Sequence, residues 1–167
     1  MQKKQGLLRR DYIQNMLIRL MNGGMGNTTD SIIKGDMRMK NIKEIGDFFI
    51  NLNEYVYATD IETNEIVYMN HKALEAYGLE SIEDIKGQKC YEVLQKASVK
   101  CGMCNNSRLL PGAFEEWRYY NPVLDKYMII KDTLIEGEGN KKYRLEIGID
   151  ISEELAQDKL IQKYRET

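Results

Sequence analysis

The sequence predicts an α+β domain with five antiparallel strands, and three observations predict it. Two β-branched and aromatic runs separated by a polar turn, between residues 53 and 69, read as a hairpin. Capped helical segments follow. Residues 113–151 then hold three longer strand-like runs divided by turn residues, and helical periodicity flanks the whole at both ends.

At the front, Leu8, Tyr12, Ile13, Met16, Leu17, Leu20 and Met21 recur at spacings of three and four, which puts an apolar stripe on a helix from Leu7 to Met21. Asn22-Gly23-Gly24-Met25-Gly26-Asn27 ends it, because glycine removes the side chains that favour helical backbone. A second helix is expected from Thr29 or Asp30, either of which can cap it, carrying Ile32, Ile33, Met37, Ile42 and Ile45 towards Phe48 and Phe49. The hairpin pairs 55–59 with 66–69 around Asp60-Ile61-Glu62-Thr63-Asn64. Asn70 can cap a helix closed by Gly78, Ser81 and Asp84 fit a capping box, and a further helix is expected over Cys90 to Gln95. The meander strands are placed at 113–120, 126–135 and 142–151. In the last of them Tyr143, Leu145, Ile147 and Ile149 alternate with Arg144, Glu146, Gly148 and Asp150, the pattern of a strand with one face on a core and one in water. After Asp150 a charged helix with Leu155, Leu160, Ile161 and Tyr164 leaves the domain.

The chain has 167 residues, 43% hydrophobic and 30% charged, which fits one globular core plus helical extensions. Division is expected into a helical extension at 1–44, the domain at 45–153 and an output helix at 154–167. Neither a membrane span nor an export signal is encoded in these residues, so a cytoplasmic location is expected, without membrane insertion. Residues 1–46 carry nine Lys or Arg against four Asp or Glu, and the remainder fifteen against twenty-two. The basic residues are scattered, so a solvated helix face accounts for them and no nucleic-acid partner is expected.

The segment from about Ile45 to Glu153 resembles PAS domains, the sensory modules attached to bacterial diguanylate cyclases, phosphodiesterases and histidine kinases. The resemblance rests on Val56-Tyr57-Ala58-Thr59-Asp60, Ile66-Val67-Tyr68-Met69-Asn70, Gly87-Gln88-Lys89-Cys90-Tyr91, Cys101-Gly102-Met103-Cys104, Glu116-Trp117 with Tyr120-Asn121-Pro122, and the Asp150-Ile151-Ser152 junction, in that order. It implies a single curved five-stranded sheet whose covering helices enclose a pocket. It also implies terminal helices that join a homodimer and relay a ligand or partner event to an output domain, in cis or in trans. The ligand is not named by the sequence.

Tyr55, Tyr57, Met69, Tyr77, Trp117, Tyr119, Met128 and Ile130 lie on segments that line the cavity in that family, so they are the candidate ligand-binding residues; an ordinary filled core accounts for the same side chains. The phase of the first two meander strands stays open at this stage. Cys90, Cys101 and Cys104 form C-x10-C-x2-C, a candidate for zinc or an iron–sulfur cluster. Only His71 could add a fourth soft ligand, so the pattern falls short of a closed metal site and favours a small buried Cys90 with two cysteines bracing a loop. A haem or flavin has less support still. The carboxylates read as dispersed along solvated faces, and no phosphate loop or nucleophile–base pair is present, so no enzyme is expected. Two other readings are a cysteine-based metal- or redox-responsive protein and the regulatory piece of a diguanylate cyclase or phosphodiesterase.

Overall fold

A computed structural model describes Gly46 and residues 49–165. The expected helices over 7–21 and from 29 or 30 onwards, with the glycine-rich break between them, lie outside the described residues.

Five strands form one antiparallel sheet: β1 (Tyr55–Asp60), β2 (Ile66–Met69), β3 (Glu115–Asn121), β4 (Lys126–Glu136) and β5 (Lys142–Asp150). Their spatial order is β2-β1-β5-β4-β3, so the hairpin and the meander meet where β1 pairs with β5, Tyr57 opposite Glu146. Between β2 and β3 the chain forms α1 (His71–Ala76), a 3-10 turn (Ile82–Ile85) and α2 (Cys90–Gln95). After β5 comes α3 (Ser152–Arg165).

Local chemistry sets these boundaries. In the β1–β2 turn, Asp60 Oδ1 accepts from the amides of Glu62 and Thr63 at 2.9 and 3.1 Å, and Asn64 takes a left-handed φ of 60°, which its short polar side chain tolerates. Asn70 is fully buried and caps α1: its Oδ1 accepts from Ala73 N at 3.0 Å and from Val56 N at 3.1 Å. Its amide nitrogen donates to the carbonyls of Phe49, Leu52 and Glu54, so one side chain ties the segment before β1, the first strand and α1 together. Ser81 and Asp84 make the expected capping box, with Asp84 Oδ2 accepting from Ser81 N at 2.8 Å. That box opens a 3-10 turn rather than an α-helix, since Gly87, at φ 77°, stops the chain almost at once.

Two cores lie on opposite faces of the sheet. One cluster holds Phe49, Val56, Ala58, Ile135, Leu145 and Ile147. The other holds Tyr55, Tyr57, Met69, Met128 and Ile130 packed with Leu74 of α1 and Val93 and Leu94 of α2. The expectation that β5 presents one face to water is therefore corrected. Arg144 and Glu146 are 6% and 5% exposed, on the face that α1, α2 and the following loop cover. The period-2 alternation was real, but it separates an apolar core from a polar interior.

Candidate functional site

Pairing register defines the inner face. Trp117 lies opposite Ile130, Ile130 opposite Gly148, and Gly148 opposite Tyr55, which puts side chains from four strands on one surface. The phase of β3 is thereby settled: Trp117 and Tyr119 point inward, and Glu116, Arg118 and Tyr120 point out to solvent. Against this surface lie α2, Tyr77 after α1, and the loop that follows α2.

They enclose a cavity with about 40 Å³ of free volume. Tyr55, Tyr57, Tyr77, Trp117, Tyr119, Met128 and Ile130 line it, seven of the eight predicted residues. Met69 is buried in the same apolar cluster, but other residues form the wall. All three cysteines line it as well: the cysteine loop and the pocket, separate in the sequence, are one place in the fold. His71 begins α1 on an exposed position away from the cavity.

Sequence reasoning missed the polar floor. Glu146 and Arg144 line the cavity, and Asp132, fully buried, stands opposite Glu146 in the β4–β5 pairing. The Tyr57 hydroxyl donates to Glu146 Oε1. Asp132 Oδ2 accepts from Trp117 Nε1 at 2.8 Å and from Asn105 Nδ2 at 2.7 Å. Arg144 lies 3.5 Å from Glu146 Oε2 and 4.0 Å from Asp132 Oδ1, both longer than the 2.7–2.9 Å usual for a charge-assisted bond. Its Nε and Asp132 Oδ1 have no hydrogen-bond partner, although both are buried.

Burial pushes Glu146 up to about 8, helped by Asp132 and opposed by Arg144, so at neutral pH it is largely a neutral acid. Tyr57 is held well above its ordinary value by the same burial and by Glu146. Burial works against the Arg144 cation, but the acidic groups around it, Glu146, Tyr57 and Asp132, outweigh that and raise its pKa above the ordinary value. Around the rim, Tyr119 donates to Gln95 at 2.6 Å and Asn121 donates to the Tyr77 hydroxyl at 3.0 Å. Burial raises the Cys90 and Cys101 thiols, which keeps them protonated and blunts their nucleophilicity. Among the described residues no group of three or more His, Cys, Asp or Glu side chains is disposed to hold a metal ion.

The cysteine loop is fastened to the sheet. Asn105 bonds Asp132, Arg108 pairs with Glu115 at 3.3 Å, and Pro111 bridges to Leu134. At the other end, β4 and β5 grip the start of α3: Ile151 N donates to Tyr127 O at 2.8 Å and Tyr127 N to Ser152 Oγ at 3.0 Å. Asp150 binds Lys126 and caps Ser152 N at 3.0 Å.

No protein-family model matches this chain, and no curated protein does. Solved structures do. The PAS domain of an HTR-like protein from Haloarcula marismortui aligns with a TM-score of 0.50 at 14% identity, over 65% of this chain and 90% of that one. The PAS domain of BvgS from Bordetella pertussis gives 0.46 at 13% identity, over 75% and 98%. A PAS domain from a two-component sensor histidine kinase gives 0.46 at 13%, over 65% and 94%. At such identities the likeness is one of fold, and the fold is that of a PAS domain.

Proposed function

From the PAS fold as premise, we propose that this chain is a sensor module that holds a small molecule in the cavity beneath α2 and passes its occupancy to the C-terminal helix. The observation that carries the reading is the composition of the inner face. Seven aromatic or apolar side chains picked out by sequence converge there with a buried arginine and a neutral buried acid. A face meant only for packing gains nothing from such groups, because burying charge without full hydrogen bonding destabilises.

The route outward is short. β4 and β5 supply the floor, and the same two strands clasp Ile151 and Ser152 where α3 begins. A shift of the floor is thus transmitted to the helix as a change of angle, for which a modest coupling energy suffices. Leu160, Ile161 and Tyr164 on α3 are 53%, 46% and 74% exposed, a stripe suited to pairing with the same helix of a second copy. The output then lies in a domain joined to α3 or in a partner, and the chain is regulatory rather than catalytic. Among the described residues no helix is long and apolar enough to cross a membrane, in keeping with the cytoplasmic setting proposed here.

Native mass spectrometry of protein purified from its own host, compared with the denatured mass, tests this. A dimer carrying a small non-peptide mass is the expected result. A bare monomer at high concentration would contradict both halves of the proposal.

A further inference from the structure

The cysteine loop carries chemistry that the cavity does not use. Cys90, Cys101 and Cys104 are free thiols lining one space, yet they differ in access: Cys90 is buried in α2, while Cys101 and Cys104 are half-buried and reach solvent. Cys104 N donates to Cys101 O at 3.2 Å, which closes the four-residue turn Cys101-Gly102-Met103-Cys104. A turn of this kind holds its first and last Cα atoms within about 7 Å. A disulfide spans about 4.4–6.8 Å between Cα atoms, so the backbone already brings the two residues to disulfide range. A Cβ added at Gly102 would meet nothing within 4 Å, so the tip of the turn has room to adjust.

Bracing does not account for the pair. The loop is already held by Asn105 on Asp132, Arg108 on Glu115 and the bridge from Pro111 to Leu134, and a thiol adds only weak hydrogen bonding to such anchors. The first of those anchors also offers a route inward. Asn105 follows Cys104 directly in the chain and donates to Asp132 Oδ2 at 2.7 Å, the same oxygen that accepts from Trp117 Nε1 at 2.8 Å. Drawing the two sulfurs together pulls on Cys104, and through Asn105 on that shared acceptor.

We propose that Cys101 and Cys104 form a reversible dithiol–disulfide pair whose closure is transmitted through Asn105 and Asp132 to Trp117 in the cavity wall. Neither part requires that the cavity hold a guest. The oxidant is a small disulfide such as glutathione disulfide. One cysteine attacks it as the thiolate; the oxidant's S–S bond breaks, and one thiol departs with the proton that the cysteine released. The second cysteine then attacks the mixed disulfide, and the second thiol departs in the same way. The two cysteines thus lose two electrons and two protons, and the oxidant gains both. A reducing compartment keeps the pair open, and an oxidising challenge closes it. Burial raises the Cys101 thiol, which slows the attack but leaves the reduced form without a stabilised thiolate to hold it open.

Trypsin sorts the three thiols, because cleavage after Lys89, Lys96, Lys100 and Arg108 leaves Cys101 and Cys104 together on fragment 101–108 and Cys90 on fragment 90–96. The full chain is held in excess glutathione disulfide, quenched with acid, alkylated and digested for mass spectrometry. The expected result is fragment 101–108 two hydrogens lighter and unalkylated, with Cys90 alkylated. Excess dithiothreitol reverses this, and neither Cys101→Ser nor Cys104→Ser shows an internal bond. In parallel, the indole N–H resonance of Trp117, the sole tryptophan, moves between two positions in a ¹⁵N-correlated NMR spectrum as the pair closes and reopens. Asn105→Ala still closes the pair and loses most of that movement; both readings on the wild type need no variant. A lasting glutathione adduct, a link to Cys90, or three alkylated cysteines after oxidant would overturn the pair. Closure that leaves the wild-type indole still, or moves it equally in Asn105→Ala, would overturn the link to the cavity wall.

Discussion

The two faces of one sheet are built to different rules. On the outer face Phe49, Val56, Ala58, Leu145 and Ile147 are between 0% and 1% exposed and pack as an ordinary core. A buried charge there, Lys131, has a direct partner in Glu116 at 3.0 Å. On the inner face, across the same strands, Arg144, Glu146 and Asp132 are equally buried, yet two of their polar atoms are unpaired and free volume lies above them. Alternate residues of β5 serve both: Leu145 and Ile147 go to the first face, Arg144, Glu146 and Gly148 to the second. The lesson is that stability has been placed on one side of the strand, which leaves the other side able to carry groups that are poor at stabilising and good at recognition.

The largest effect expected from breaking this contrast is Ile147→Ala. It removes a fully buried side chain from the outer core and should cost about 2–5 kcal/mol, read from the urea midpoint. Asn70→Ala comes next: it strips partners from the amides of Val56 and Ala73 and from the carbonyls that receive its Nδ2. A loss of about 2–3 kcal/mol is expected in the same assay.

Glu146→Gln acts on the inner face and shows itself in pH dependence. The carboxyl is raised in the folded state, from 4.5 to about 8, so the native protein holds a proton that the unfolded chain has released. Its stabilising contribution is complete below about pH 4.5 and is lost as pH climbs towards 8, with a slope of at most about 1.4 kcal/mol per pH unit. The difference between wild type and Glu146→Gln, followed by denaturation from pH 5 to 9, should fall across that window. A difference that is flat with pH would mean that Glu146 is ionised throughout.

Much of this was legible in the residues. The strand positions and the Asn70 cap follow from local pattern, since β-branched runs, polar turns and capping residues are short-range signals, whereas the side chains of the cavity wall could be named only through the resemblance to PAS domains. The polar floor was hidden for the opposite reason. Arg144 and Glu146 on one strand, and Asp132 on another, look like solvated charges until the β4–β5 register sets Asp132 against Glu146, and register depends on the whole sheet. The union of the cysteine loop with the pocket was hidden too, because Asn105 ties that loop to a residue 27 positions away. A signal did exist: β5 bears charges on alternate positions while its neighbour β1 shows Tyr55 and Tyr57 on the face that must oppose them.

The smallest stability effect joins the largest functional one. A Cβ added at Gly148 would stand 2.6 Å from Met128 Cε and 3.5 Å from Tyr55 Cβ. Met128 has a flexible end that can swing into the cavity, so Gly148→Ala should cost no more than about 1.5 kcal/mol while filling the space. Wild type and Gly148→Ala, prepared side by side from the native host and weighed under native conditions, therefore test directly whether the inner face holds a guest. The result predicted is a small extra mass on the wild type that is missing from an equally folded Gly148→Ala; the same mass on both, or on neither, would contradict it.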